Sequence, residues 1–200
     1  EQVEAEILVS AAPAYAAAAM LEQSNGKTAD LLKEIPYATM NVVCFGYQRE
    51  RIARDLDGFG YLTPKAEGRS TLGTLWDSSI FPNRAPEGQV LLRSMMGGAT
   101  NMTAIELSED EVRQRTMADL KQIMGIDAEP DFVRVFRHPH AIPQYTRGHA
   151  QRVAAIDASL QESPDLLLTG NAFFGVGLND CVNSSNLTAQ KVIEQLKKRQ

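Results

Sequence analysis

The stretch Leu166–Leu196 constrains the fold more than any other. Leu166-Leu167-Leu168 is a short, wholly apolar run, the pattern of a strand buried in a parallel sheet. Gly170–Asn179 is a glycine-bearing loop. A helix is predicted from about Asp180 to Lys198, with Ala189, Val192, Ile193 and Leu196 on its apolar side. The start of the chain has the same texture. Val3–Ser10 reads as a strand entering a buried sheet, and Ala11-Ala12-Pro13 as a turn with proline set for a first helical turn. The alanine-rich Ala14–Leu21 suits a helix lying closely on that sheet. Leu31, Leu32 and Ile35 mark a short helical turn that stops before Pro36. The simplest architecture brings the two ends together in one α/β layer.

Between these ends the pattern changes to short apolar runs: Thr39–Tyr47, Gly60–Thr63, Ser70–Trp76 and Gln89–Met96. Turn signals at Asp57-Gly58, Glu67-Gly68 and Glu87-Gly88 separate them, which predicts an antiparallel sheet. Ser108-Glu109-Asp110-Glu111 is a capping box. Val112, Thr116, Leu120 and Ile123 then line one helix face, with Gly125 as the stop. Phe132–Phe136 reads as a further strand, and Val153, Ile156 and Leu160 mark a further helix. The predicted fold class is therefore α+β, with α/β end segments flanking an antiparallel middle.

Composition removes several function classes. Of the 200 residues 44% are apolar, and the formal net charge is −5, so nothing suggests a general attraction to nucleic acid. The only basic cluster, Lys197-Lys198-Arg199, sits at a predicted helix end, where cations suit the dipole. No apolar run approaches the roughly 20 residues of a spanning helix. Cys44 and Cys181 lie far apart without metal spacing and read as free thiols. His138-Pro139-His140 resembles a metal pair, but the proline argues against a shared face and no Cys or carboxylate is near in sequence. No metal site is expected, and no general acid, base or nucleophile is identifiable.

The loop Gly170-Asn171 with Gly175-Val176-Gly177-Leu178-Asn179-Asp180 is the strongest local signal. Ligands of open α/β sheets bind beyond the carboxyl ends of strands, and a helix N-terminus there offers unpaired N–H groups. Asp180 stands where a dinucleotide fingerprint needs its third glycine. The alternative is a tight connection with Asn179 or Asp180 as helix cap. In the middle, Phe59, Leu62, Leu75, Trp76, Phe81, Met95 and Met96 form an apolar set. It suits either the core of a sheet or the wall of a large apolar cavity.

Several stretches together resemble the C-terminal half of oxygen-dependent protoporphyrinogen oxidases. They are Gly58–Pro64, Thr71–Leu75, Ile80-Phe-Pro82, Met96-Gly-Gly98, Ile142-Pro-Gln-Tyr145 with Gly148-His149, and Gly175–Cys181. They occur in family order from about Ile7 to Leu196. Ile7–Met20 also resembles the strand-then-Ala-Pro element of the wider flavin amine oxidase fold.

The resemblance implies noncovalent FAD and oxidation of protoporphyrinogen IX to protoporphyrin IX with O₂ as acceptor, in haem or chlorophyll synthesis. Carried over by position, Gly170, Asn171, Gly175, Val176, Gly177, Leu178 and His138 would lie against the cofactor. The loop N–H groups would favour negative charge on the reduced ring. Phe59, Leu62, Leu75 and Met95 would line the tetrapyrrole pocket. Residues 1–36 and 141–200 would belong to an FAD-binding domain and residues 37–140 to a substrate-binding domain. The family's glycine-rich fingerprint and propionate-pairing arginine are not found. With the abrupt start at Glu1, this gives the expectation of a truncated piece, inactive alone and holding little or no FAD. Related expectations are coproporphyrinogen III as the substrate in place of protoporphyrinogen IX, or a tetrapyrrole-binding module without redox chemistry. Location is expected in the cytoplasm, at a membrane periphery or in an organelle, with a homodimer admissible.

Overall fold

The computed structural model describes residues 3–199. In chain order the elements are β1 (Leu8–Ser10), α1 (Ala14–Leu21), α2 (Gly26–Lys33), β2 (Tyr37–Gln48), β3 (Gly60–Leu62), β4 (Gly73–Leu75), α3 (Asp77–Ile80), β5 (Gln89–Gly97), α4 (Glu109–Met124), β6 (Phe132–Pro143), α5 (His149–Ser159), β7 (Leu166–Leu168) and α6 (Leu178–Arg199), with short 3-10 turns between some of them. The described residues form two compact units. One comprises the chain up to Pro36 together with the chain from Ile142 onward; the other is Tyr37–Ala141.

In the first unit β1 and β7 pair in parallel, Leu8 with Leu166, Val9 with Leu167 and Ser10 with Leu168. Thr169 N–H extends the ladder by donating to Ser10 C=O at 3.0 Å. The expected strand from Val3 is shorter than its apolar pattern: only Leu8–Ser10 has a partner strand. The expected burial of this pair is not seen either, because Leu8 and Val9 are exposed and Leu166–Leu168 half-buried.

Helix α1 packs chiefly on α2, and Ala14, Ala17, Ala18, Ala29 and Leu32 are buried. Small side chains let two helices approach closely. Asn25 caps α2, its Oδ1 accepting from Thr28 N–H at 3.1 Å. Thr28 and Ser159 join α2 to α5 through a buried hydroxyl pair at 2.7 Å. Pro36 C=O accepts from Gln144 N–H at 2.8 Å, closing the place where the chain leaves this unit and returns.

The second unit is a five-stranded sheet in the order β3-β4-β5-β2-β6. Strand β5 pairs antiparallel with β2 and β4, and β4 with β3. Alternation gives the sheet two unlike faces. On one, Val43, Phe45, Tyr47, Val90, Leu92, Met96 and Trp76 form a core with Val112, Leu120 and Met124 of α4. Helix α4 has the expected capping box at Ser108 and Glu111 and ends at Gly125 with φ 72°, a conformation that glycine adopts without Cβ strain. Asp119 of α4 is buried, accepting from Thr71 N–H at 2.8 Å and Thr71 Oγ1 at 2.9 Å. These bonds replace its hydration and tie the helix to the lead-in of β4.

Tyr47 is pushed up from 10.0 to about 12, first by burial and then by Glu129; Arg51 and Arg113 oppose the shift. A raised acid keeps its proton longer in the folded state, so its contribution is complete below pH 10 and declines as pH rises towards 12. Urea midpoints followed across that window should fall less steeply for Tyr47→Phe than for the wild type.

Candidate functional site

The glycine loop lies between β7 and α6, beyond the carboxyl end of a parallel strand. Gly170 has φ 120° and Gly175 φ 139°, both in the range L side chains rarely adopt. A Cβ on Gly175 would collide with the Asp180 side chain. The Tyr145 hydroxyl donates to Asn171 C=O at 2.8 Å and accepts from Gly175 N–H at 2.7 Å. His149 stacks on the Tyr145 ring, with centroids 3.8 Å apart and planes 13° apart. Its Nε2 lies 3.3 Å from Phe173 C=O. A carbonyl only accepts, so Nε2 carries the proton. Asp180 Oδ2 accepts from Gly177 N–H at 3.2 Å, reaching back from the first turn of α6.

This geometry corrects one expectation. The N–H groups of Gly175 and Gly177 are already used by Tyr145 and Asp180, and Asp180 adds negative charge at the helix start. The loop is therefore not an open anion cradle. It presents exposed apolar groups instead: Phe174, Val176 and Leu178, the last 81% exposed. Burial pushes the Tyr145 phenol up; its bond from Gly175 opposes this, while Cys181 and Asp180 add to the rise. It therefore remains the neutral donor and acceptor that the bridge requires.

The sequence offers Asp180 as a helix cap, and its bond from Gly177 N–H agrees with that, whereas Tyr145 and His149 enter the sequence reading only through the motifs of the resemblance. Helix α6 also differs from its expected pattern. Ala189 and Ile193 are exposed, Val192 and Leu196 are half-buried, and the buried contact is Ser184, bonded to Thr169 Oγ1 at 3.1 Å.

The second cluster lies on the sheet face opposite the core. Leu62 opposes Gly73, and Gly73 opposes Met95. Leu75 opposes Gly60 and Arg93. Leu62, Leu75 and Met95 therefore share one face, joined by Val42 opposite Met95 and Cys44 opposite Arg93. Leu75 and Met95 are half-buried and Leu62 is 78% exposed. Phe59 is 75% exposed and precedes β3; its C=O accepts from Trp76 N–H at 3.0 Å. Of the expected apolar set, Trp76 and Met96 belong to the core, and Phe59, Leu62 and Phe81 do not.

His138 is exposed on β6. His138 and His140 are two apart in one continuous strand, so they share a side after all. No third His, Cys, Asp or Glu joins them among the described residues. Both cysteines are free, and burial first, then Asp77, raises the Cys44 thiol.

Residues 1–193 match the family described as flavin containing amine oxidoreductase, and the chain belongs to that family. Within it, the chain is 34% identical to the chloroplastic protoporphyrinogen oxidase of Oryza sativa subsp. japonica, across 98% of this chain and 38% of that protein. It is 28% identical to the coproporphyrinogen III oxidase of Bacillus subtilis, across 97% of this chain and 41% of that one. A crystal structure from Exiguobacterium sp. 255-15, provisionally named a protoporphyrinogen oxidase, superposes with TM-score 0.76 at 25% identity, covering 98% of this chain and 42% of that one. The resemblance to protoporphyrinogen oxidases thus holds over nearly the whole chain, while the chain spans well under half the length of these relatives.

The tyrosine bridge has a direct test. Tyr145→Phe removes one hydroxyl and two hydrogen bonds while keeping the ring stack, at a cost of about 1–2 kcal/mol to the loop. Amide exchange at Gly175 should accelerate about tenfold, with little change in the sheet of the other unit.

Proposed function

We propose that this chain is part of an FAD-dependent oxidase that converts protoporphyrinogen IX to protoporphyrin IX, with O₂ as the terminal acceptor. The observation that carries the reading is the row Leu62–Gly73–Met95 with Leu75 beside it. Its register makes a broad apolar face on a sheet whose other face is already filled. A tetrapyrrole macrocycle is a wide apolar body and needs such a face. The named relatives supply the substrate class.

The loop suits a flavin as a surface rather than as a charge trap. Gly170, Asn171, Gly175, Val176, Gly177 and Leu178 would hold it by backbone approach and apolar contact, and His138 is a further candidate contact. Bound FAD supplies two-electron acceptance, chemistry that no side chain of this chain can provide. The chain's own part is placement. The Tyr145 bridge and the Asp180 contact hold the loop to one conformation. Leu62, Leu75, Met95 and Phe59 would exclude water from the substrate's faces. Among the described residues no helix is long and apolar enough to cross a membrane.

The 28% identity to a coproporphyrinogen III oxidase favours a second reading, in which the substrate is coproporphyrinogen III. Aerobic assays of the protein expressed from its complete reading frame should show porphyrin fluorescence growing from protoporphyrinogen IX, with kcat/KM at least about tenfold above that for coproporphyrinogen III. The opposite ratio selects the second reading, and no oxidation of either rejects both. Met95→Glu should raise KM by about tenfold or more, because a carboxylate on the face must be desolvated.

A further inference from the structure

Arg93 is out of place on the apolar face. Among the residues that β2, β3, β4 and β5 place there, it is the only charged one. It stands between Leu75 and Cys44 across the ladder, two residues from Met95. It pairs with Asp77 through two contacts, Nε to Oδ2 at 2.9 Å and Nη2 to Oδ1 at 3.0 Å. The side chains are 36% and 10% exposed respectively. Asp77 is thus nearly buried and Arg93 is not, so the pair locks the guanidinium plane from behind and leaves an edge open. Nη2 makes the hydrogen bond to Asp77, while Nε, although 2.9 Å from Oδ2, makes no hydrogen bond among the described residues. A guanidinium has five donors in a fixed fork, and a second carboxylate can use those left over.

We propose that Arg93 receives one carboxylate of the substrate, and that Asp77 positions Arg93 for it. This rests on the porphyrinogen reading above and deepens it. Porphyrinogens carry propionate arms on an apolar ring. A ring seated on Leu75 and Met95 has its edge within one pleat step of Arg93, roughly 7 Å along a strand, which a propionate arm spans. Arg93 is then a specificity-determining residue and Asp77 a positioning residue. Asp77 also keeps the guanidinium from needing a counterion when the site is empty, so the carboxylate binds a preorganised fork rather than a mobile side chain.

The test uses the holoenzyme from the complete reading frame, with protoporphyrinogen IX as the free diacid and as its dimethyl ester. Arg93→Gln should raise KM for the diacid about tenfold or more and leave KM for the diester within about twofold, since a charge-assisted bond is lost only for the diacid. Because Arg93→Gln strands a nearly buried carboxylate, the double variant Arg93→Gln/Asp77→Asn is measured beside it and should show the same split. Arg93→Lys, which keeps charge and loses the fork, should fall between. Equal changes for diacid and diester, or none for either, in the double variant overturn the proposal while the porphyrinogen reading stands. A wild type that oxidises neither compound overturns that reading itself, and the proposal with it.

Discussion

Three residues near each end of the chain hold the first unit together. The parallel pairing of Leu8–Ser10 with Leu166–Leu168 joins segments separated by the whole second unit. Its end decides where the glycine loop begins, because Thr169 N–H makes the last bond of the ladder to Ser10 C=O. The loop must leave the strand there, and Gly170 turns with φ 120° beside Ala11 C=O. Helix α6 then starts only after Tyr145 has bridged Asn171 and Gly175, and Asp180 has taken Gly177 N–H. If the strand pair shifted register by one residue, each of these contacts would move to the wrong side. A parallel pair forms only when distant chain segments meet, so its cost in loop entropy is met by the packing around it. Here that packing includes α1 on α2 and the Thr28–Ser159 pair.

The second unit rests on an unequal division of its sheet. One face is a filled core under α4, with Phe45, Leu92, Val112 and Leu120 among its buried members. The other presents Leu62, Leu75, Met95, Val42 and Cys44, part-exposed, with the Arg93–Asp77 pair among them. An exposed apolar face of this kind is what the proposed tetrapyrrole contact requires. The two faces differ in polar content too. On the core face Thr74 pairs with Ser94 at 2.8 Å and Asp119 accepts from Thr71, while Trp76 Nε1 and Asn41 Oδ1 are buried without a partner among the described residues. The open face leaves part of a guanidinium without an acceptor.

Elements whose signal is local were legible in the sequence. The capping box at Ser108 and the stop at Gly125 bound α4 as expected. The four middle strands fall where the apolar runs and turn signals placed them. The strand-loop-helix from Leu166 is present as expected, although α6 begins two residues earlier. What failed depended on neighbours. Ala189, Val192, Ile193 and Leu196 form the apolar side of α6 in the sequence, yet Ala189 and Ile193 are exposed and the buried contact of the helix is the bond from Ser184 to Thr169. Hydrophobic periodicity reports what could be buried, and only a neighbouring surface decides whether it is. Tyr145 and His149 were missed as loop supports because their partners, Asn171, Phe173 and Gly175, lie more than twenty residues away.

The sequence alone determined the local vocabulary: which runs become strands or helices, where they stop, and which motifs mark the flavin amine oxidoreductase family. Those properties follow from side-chain period, caps and glycine conformations within a few residues of one another. Tertiary structure decided the rest. Register placed Leu62, Leu75 and Met95 on one face and set Trp76 and Met96 on the other. It also set Arg93 among the apolar residues with Asp77 behind it. The Leu166–Leu196 segment, so distinct as a sequence, became a constrained loop only when Tyr145 and Asp180 took its amides, because hydrogen bonds between distant residues exist only once the chain has brought them together.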